Sequence, residues 1–388
     1  MDTHKIDLLL QEACAQGAVA GAVAMVTTRT GLAYQGSCGR RDASAAPPMT
    51  SDTVFWIASM TKAITSALCL QLVERGLLSL HLPVADIVPA LGRVQVIEGF
   101  DATGQPRLRA ARAPITLHHL LCHTSGYGYE YWSEPLQRLR KSGVLPPIAT
   151  CRNAALEAPL LCDPGERWEY GIGIDWAGKI AEAALGMRLG AALHETLFEP
   201  LGMRDTAFRI RPALRERLAR VHQRGADGTL APLSMEVPQE PEFEMGGGGL
   251  YSTSADYLRF ARMLLNGGEL DGRRVLAPAT VSAMTSDRIG PLRVTALRTA
   301  APRVSNDVEF LPEVEKGFGY GFLVTRQTAA SGLPAGSLVW AGFANTYYWI
   351  DPAQGLAAVL LAQVVPFADA RVLELFTGLQ RAVYGASR

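Results

Sequence analysis

The chain has no excess of charge of either sign and very little lysine. Its 37 Lys and Arg residues balance 37 Asp and Glu residues, and only five of the basic residues are lysines. Nucleic acids and anionic membrane surfaces are bound mainly through clustered positive charge, and no dense Lys/Arg run is present, so neither is expected as a partner. Apolar residues make up 48% of the sequence and charged residues 19%, which is typical of a folded globular protein.

Long apolar runs and paired cysteines are also missing. The longest apolar runs, 17–26 and 356–362, are shorter than the roughly 18–20 residues that a membrane-spanning helix needs. The first twelve residues carry acidic and basic side chains where a signal peptide would have a basic start and an apolar core. The six cysteines form no C-x-x-C pair and are too few for a disulfide framework in a chain of 388 residues. We therefore expect a soluble cytoplasmic protein with reduced thiols.

The apolar pattern predicts strands at both ends of the chain and helices between them. Residues 18–37 contain two β-prone runs around a turn, which favours a hairpin, and residues 60–75 have the apolar periodicity of a helix that ends before Gly76. Further helices are predicted at 176–185, 191–198, 256–265 and 371–383, further strands at 319–325, 337–340, 346–350 and 357–364, and surface loops at 99–114 and 292–315. The pattern indicates an α/β fold with one sheet built from both termini, flanked by helices. We expect residues 1–90 and 300–388 to form a discontinuous α/β domain, with residues 91–299 as an inserted, mainly helical domain.

The sharpest chemical signal is Ser59-Met60-Thr61-Lys62 at the start of the helix predicted at 60–75, the one S-x-x-K in the chain. A spacing of three places Ser59 and Lys62 on one helix face. A serine hydroxyl is a poor nucleophile until a base takes its proton, and a buried lysine held neutral can serve as that base. The N-terminus of the helix adds backbone N–H groups where an oxyanion would form. Other nucleophile and phosphate motifs (G-x-S-x-G, Walker A and G-x-G-x-x-G after a strand) are absent.

With these residues in place, the chain resembles the superfamily of class C β-lactamases, DD-peptidases and family VIII carboxylesterases. The resemblance covers residues 18 to 385 and rests on motifs in matching order: Ser59–Lys62, Leu120–Gly126, Pro164–Tyr170, Pro200–Met203, Gly247–Thr253 with Asp256, and Trp340–Gly342. It implies a β-lactamase/penicillin-binding-protein-like fold. It also implies that Ser59 is the nucleophile and that Lys62 and Tyr170 form the general base.

The sequence departs from the β-lactamase pattern at two motifs. The Y-x-N-like motif reads Tyr170-Gly171-Ile172, without the asparagine, and Trp340-Ala341-Gly342 stands where β-lactamases have K-T-G. The K-T-G lysine supplies positive charge near a substrate carboxylate, whereas tryptophan supplies an apolar wall that suits a neutral ester. By resemblance, the oxyanion hole consists of the backbone N–H groups of Ser59 and Phe343, and Trp340, Gly342 and Ile172 belong to the substrate site.

Three further clusters have alternative interpretations. Tyr127, Tyr129, Tyr131 and Trp132 are either core or part of an apolar pocket, and we count Tyr127 and Trp132 as candidate substrate-binding residues. His118, His119 and His123 resemble a metal cluster but have no patterned further ligand, so no metal is expected. The glycine run 246–249 lacks the Lys/Ser of a phosphate loop and favours a tight turn close to the site.

These observations predict a serine carboxylesterase that hydrolyses short-chain acyl esters without a metal or cofactor. The alternatives are a β-lactam (cephalosporin) hydrolase, an acyltransferase of the same fold and a non-catalytic ligand-binding relative. Ser59, Lys62 and Tyr170 together argue against the last. The oligomeric state stays open.

Overall fold

The computed structural model describes residues 1–44 and 47–386, and its central element is a seven-stranded antiparallel sheet. In chain order the strands are β1 Gly21–Thr28, β2 Leu32–Gly39, β3 Lys316–Phe318, β4 Leu323–Thr325, β5 Leu338–Gly342, β6 Thr346–Asp351 and β7 Leu356–Leu361. Their order in the sheet is β3-β4-β5-β6-β7-β1-β2. The two ends of the chain meet where β1 pairs with β7, with Val23 opposite Leu361.

Helices pack on both faces of this sheet, which explains why its central strands are almost entirely buried. The helices of eight or more residues are α1 Thr3–Ala15, α2 Thr61–Glu74, α3 Glu134–Lys141, α4 Gly173–Leu185, α5 Ser254–Leu265, α6 Pro278–Thr285 and α7 Ala370–Tyr384. Side chains alternate across a strand, and on β6 Tyr347 stacks on Phe376 of α7 while the next residue, Tyr348, contacts Tyr257 of α5. The helix α1 packs against α7, so both termini lie on one side of the sheet.

Shorter elements connect these layers. The short helical segments are Ala58–Met60, Val84–Asp86, Pro89–Gly92, Leu117–Leu121, Ile148–Thr150, Asn153–Glu157, Leu189–Leu193, His194–Phe198, Glu199–Leu201 and Pro212–Arg215. The remaining strands are Phe55–Trp56 paired with Tyr251–Ser252, Gln95–Phe100 with Pro106–Ala110, Glu269–Leu270 with Arg273–Arg274, and Val221–Arg224 between Leu230–Leu233 and Val364–Val365. The helix α2 packs against α4, and this contact brings the S-x-x-K segment close to the segment that follows Tyr170.

Most of the predicted elements are confirmed to within a few residues, including the hairpin of β1 and β2, the helix α2 and the helix α7. The single strand predicted at 319–325 is wrong, because residues 319–322 form the turn between β3 and β4. The predicted loop at 99–114 is wrong, because Gln95–Phe100 and Pro106–Ala110 form a hairpin. Its second strand is largely exposed and rich in arginine, and a strand without an apolar face has the composition of a loop. The domain boundaries at residues 90 and 300 stay a prediction.

The expectation of reduced thiols is wrong for one pair of cysteines. Cys14, in the last turn of α1, forms a disulfide with Cys38 on β2. The two residues meet because α1 packs across β2, where Tyr34 also donates a hydrogen bond to Asp7 at 2.8 Å. Sequence spacing gives no sign of this contact. The other four cysteines are free and buried. Within residues 1–44 and 47–386, no helix has both the length and the apolar character needed to cross a membrane.

Candidate active site

Ser59 lies in a tight turn at the beginning of α2. The turn is the 3₁₀ segment Ala58–Met60, which runs directly into Thr61–Glu74. Ala58 has a φ of 43°, in the left-handed region that non-glycine residues rarely adopt, and such strain is concentrated at functional sites. The turn leaves Ser59 partly exposed at the positive end of the helix dipole.

Lys62 is completely buried, and its ammonium group contacts three oxygen atoms. Nζ lies 3.1 Å from Ser59 Oγ, 3.0 Å from the Tyr129 hydroxyl and 2.5 Å from the carbonyl oxygen of Gly247. The structure thus brings together the two residues of the S-x-x-K motif. It leaves Nζ no room to move far from Oγ, which suits a base that takes the serine proton.

Behind Lys62 lies a second polar layer that sequence analysis missed. The Asp175 carboxylate accepts the Gly247 N–H at 2.7 Å and faces the Tyr129 hydroxyl at 3.5 Å. Burial raises the pKa of Asp175 to about 6, although the Lys62 charge opposes the shift. Burial also raises the pKa of Tyr129 well above its usual value, so Tyr129 is a neutral hydrogen-bonding group at neutral pH.

Tyr170 faces the same lysine with its ring. Nζ of Lys62 lies 4.9 Å from the centroid of the Tyr170 ring, and the Tyr170 hydroxyl accepts a hydrogen bond from Trp340 Nε1 at 3.1 Å. The structure therefore brings Tyr170 and Trp340 to the site. A donor on the tyrosine oxygen leaves the hydroxyl proton available for another acceptor.

The expected oxyanion hole requires strand β5 to end beside Ser59. A Cβ at Gly342 would lie 2.3 Å from the Ile57 carbonyl oxygen, so only glycine permits this approach. The next residue, Phe343, shares the wall of the cleft with Ser59. The structure thus places both candidate oxyanion-hole residues at one cleft.

The cleft above Ser59 is narrow and aromatic, with a cavity volume of about 50 Å³. It is lined by Trp56, Ala58, Ser59, Tyr129, Tyr131, Trp132, Ile148, Ala149, Met245, Gly247, Gly248 and Phe343. No arginine or lysine is among these lining residues. Trp132 lies in this wall, and the glycine run passes close to Ser59, with the Gly247 carbonyl oxygen as an acceptor for Lys62.

Four of the residues predicted to bind substrate do not line this cleft: Trp340 and Gly342, which lie on β5 directly before Phe343, and Tyr127 and Ile172. Tyr127 stacks on Trp176 and lines a separate cavity of about 820 Å³. Its backbone lies close to Gly171, but its ring stacks on Trp176 and is not among the residues that line the cleft at Ser59. Ile172 is buried at the N-terminus of α4, where its carbonyl oxygen accepts the Asp175 N–H, and it does not line the cleft.

The three histidines are divided between two environments. His118 contacts Tyr320, with 3.0 Å between Nδ1 and the hydroxyl, and His119 completes a capping box with Thr116. His123 packs against Tyr170, and burial lowers its pKa well below the usual value, so it is uncharged. Within the part of the chain that the structure describes, no group of three potential ligands is arranged to hold a metal ion.

The missed residues left only weak signals in the sequence. Tyr129 stood among four aromatic residues with nothing to distinguish it. Asp175 was the better clue, because a lone carboxylate interrupts the apolar run Gly171–Gly178 at the beginning of a helix. A buried acid in such a run needs partners, and these are the Gly247 N–H and the Tyr129 hydroxyl, two groups that also contact Lys62 through Gly247 O and the tyrosine oxygen.

Comparison with known proteins agrees with this geometry. A family model described as Beta-lactamase matches residues 6–380. The chain belongs to the β-lactamase family. The resemblance seen in the motifs and the β-lactamase/penicillin-binding-protein-like fold are thereby confirmed.

Two curated relatives and one solved structure show the range of the family. Monacolin J acid methylbutanoyltransferase from Aspergillus terreus is 32% identical over 94% of this chain and 92% of its own length. Lovastatin esterase from Penicillium rubens is also 32% identical, over 93% of this chain and 92% of its own length. A mutant of simvastatin synthase from Aspergillus terreus superimposes with a TM-score of 0.87 at 32% identity, covering 98% of this chain and 96% of that one. The catalytic class that fits is a serine hydrolase or acyltransferase of the β-lactamase family.

Proposed function

We propose that the chain is a serine carboxylesterase that hydrolyses short-chain acyl esters through an acyl-enzyme on Ser59. The observation that carries the proposal is the buried Lys62 Nζ, 3.1 Å from Ser59 Oγ at the N-terminus of a helix. This arrangement supplies a nucleophile, a base and backbone donors within one turn of the chain.

In the proposed mechanism, Lys62 in its neutral amine form, assisted by Tyr170, takes the Ser59 proton as Oγ attacks the ester carbonyl carbon. The carbonyl oxygen becomes an oxyanion against the N–H groups of Ser59 and Phe343. When the C–O bond breaks, Tyr170 passes a proton to the leaving alkoxide, and the acyl group stays on Ser59. A water molecule then attacks the acyl carbon and gives its proton to the same base, which releases the carboxylic acid.

The lining of the cleft supports a neutral ester with a small acyl group. Trp132, Tyr131 and Phe343 form an apolar wall, and the small volume leaves little room beside Ser59. Trp340 occupies the place of the K-T-G lysine and is engaged with Tyr170. A β-lactam carboxylate would therefore find no cationic side chain among the lining residues, which favours esters over cephalosporins.

A second candidate is transfer of the acyl group to an alcohol. The methylbutanoyltransferase and the esterase are each 32% identical to this chain, so identity does not separate the two reactions. Both reactions share the Ser59 acyl-enzyme and differ in the acceptor that reaches it.

The experiment measures hydrolysis of p-nitrophenyl acetate, butyrate and a long-chain ester beside a chromogenic cephalosporin, with Ser59→Ala as the control. We expect turnover of the short esters that disappears in Ser59→Ala. Full ester turnover in Ser59→Ala would overturn the mechanism, and cephalosporin turnover above ester turnover would overturn the substrate class. Adding an alcohol and quantifying the new ester against free acid separates transfer from hydrolysis.

A further inference from the structure

The environment of Asp175 points to a role in the chemistry of Ser59. Its carboxylate is fully buried, and both oxygens face groups that themselves contact Lys62. Oδ1 accepts the Gly247 N–H, and the Gly247 carbonyl oxygen accepts from Lys62. Oδ2 faces the Tyr129 hydroxyl, which also accepts from Lys62. Asp175, the Gly247 peptide, Lys62 Nζ and the Tyr129 hydroxyl therefore form a closed ring of contacts. Ser59 Oγ lies outside this ring as the third oxygen in contact with Nζ.

The contacts around this ring are closely packed. A Cβ at Gly247 would lie 2.5 Å from Asp175 Oδ2, so the peptide can approach the carboxylate only because this residue is glycine. Gly246, one residue earlier, accepts a hydrogen bond from Thr65 at 2.8 Å, which fixes the same backbone to α2. The Gly247 carbonyl oxygen is thus held from both sides.

The charges around the ring make Asp175 the natural counter-charge of Lys62. The other titratable groups that act on this cluster are Tyr129, Tyr131, Tyr170, Glu130, Cys151 and His123. Burial favours the neutral forms of Tyr129, Tyr131, Cys151 and His123. Glu130 is also largely buried and accepts the Ile148 N–H at 3.0 Å, away from Lys62. Asp175 is the acid in direct contact with groups that bind Nζ.

The chain also departs from the family pattern at this point. The Y-x-N-like motif has Ile172 in place of asparagine, and Ile172 is buried outside the cleft. One helical turn later, the same segment directs Asp175 to the Lys62 network. In this chain the segment therefore supplies its polar side chain from position 175 and not from position 172.

We propose that Asp175 is a positioning residue for Lys62. Through the Gly247 peptide and the Tyr129 hydroxyl it holds Nζ against Ser59 Oγ, and its negative charge controls how readily the base of the reaction loses a proton. The inference rests on the proposed function, in which Ser59 is acylated. It holds whether Lys62 or Tyr170 is the principal base, because removing a nearby negative charge makes either group lose its proton more easily.

The test follows phosphonylation of Ser59 by a fluorophosphonate as a function of pH, measured by intact mass. Oγ attacks phosphorus, fluoride leaves and the serine proton goes to the base, so the rate reports the base without knowledge of the natural ester. In Asp175→Asn we expect a rate about 10- to 100-fold lower at pH 8, because Nζ is less well held. We also expect the acidic limb of the pH profile to move to lower pH by about one unit.

Asp256→Asn is the matched control. Asp256 is also a buried carboxyl with a pKa raised to about 6 by burial, but its partners are Asp205 and Thr206. A pKa raised by folding means that stability present at low pH is lost as the pH rises through that pKa. Both variants are therefore expected to lose less stability than the wild type between about pH 4 and pH 6. Only Asp175→Asn is expected to change the rate and the acidic limb.

Two results would overturn the inference: a wild-type rate profile in Asp175→Asn, or a lower rate with an unmoved acidic limb, which would make the role structural only. If Asp175→Asn does not fold, Tyr129→Phe replaces it, since it removes one hydroxyl and keeps the packing. The expected result is a smaller shift in the same direction, and an unmoved limb again overturns the inference. Labelling that persists in Ser59→Ala would instead count against the proposed function, so the two failures are distinguishable.

Discussion

The N-terminus of α2 and the aromatic wall opposite it contribute to the same site in different ways. Ser59 and Lys62 come from one stretch of four residues, and their contact follows from the geometry of a helical turn. Here the aromatic wall means the four aromatic residues grouped around Ser59 and Lys62. They come from distant segments of the chain and are Tyr129, Tyr170, Trp340 and Phe343. The reacting pair is thus local in sequence, whereas the groups that orient it depend on the tertiary fold.

Within the wall, two tyrosines face Lys62 in different ways. Tyr129 presents its hydroxyl to Nζ at 3.0 Å, whereas Tyr170 presents its ring and bonds its hydroxyl to Trp340. A hydroxyl bonded to Nζ and to a carboxylate is suited to hold the lysine in place. A hydroxyl at the edge of the network is suited to exchange a proton with a substrate. The family motif identifies only the second tyrosine, and geometry is needed to find the first.

The largest effect is expected for the pair that is local in sequence, Ser59 and Lys62. Lys62→Met keeps the length and the buried packing of the side chain and removes its base, so we expect kcat/KM for p-nitrophenyl butyrate to fall by up to about 10,000-fold. Thermal unfolding should show that the variant is folded. Retention of more than a tenth of the activity would mean that the lysine is not the base. The base would then lie in the aromatic wall, where Tyr170 is the candidate.

What could be predicted from the sequence follows the same division. The S-x-x-K contact depends on a spacing of three, and the sheet depends on apolar runs such as Leu356–Leu361, so both are visible in the sequence. The positions of Tyr127 and Ile172 depend on which way each side chain points in an irregular segment, and no pattern records that direction. The Cys14–Cys38 bond depends on how α1 crosses β2, which is a tertiary contact. Asp175 was visible as an unusual residue, but its partner was not.

The next test separates the two tyrosines. Tyr170→Phe removes the hydroxyl proposed to donate to the leaving group, and we expect kcat to fall by about 100- to 1,000-fold with little change in KM. Tyr129→Phe removes one hydrogen bond to a charged group, for which about 10- to 100-fold is expected. Steady-state kinetics with p-nitrophenyl butyrate measures both variants. A larger loss in Tyr129→Phe than in Tyr170→Phe would exchange the two roles.

A smaller effect is expected where one wall residue supports another. Trp340→Phe keeps an aromatic ring in β5 but removes the Nε1–H that donates to Tyr170. Losing one neutral hydrogen bond costs about 1 kcal/mol, so we expect kcat to fall by about 2- to 10-fold. In a Tyr170→Phe background the same substitution should have no further effect on kcat. Additive losses in the double variant would show that Trp340 acts on the substrate directly and not through Tyr170.

The smallest effect is expected at Tyr127, only two residues from Tyr129 in the sequence. Its side chain stacks on Trp176 and lines the larger cavity, whose lining includes neither Ser59 nor Lys62. Tyr127→Phe should therefore leave kcat/KM for short esters within about twofold of the wild type, because sites without shared partners contribute independently. Measured beside Tyr129→Phe, this variant tests whether the cavity lined by Tyr127 and the cleft lined by Tyr129 are functionally separate. A loss as large as that of Tyr129→Phe would mean that the larger cavity belongs to the substrate site. The acyl specificity would then be determined by a space much larger than the cleft at Ser59.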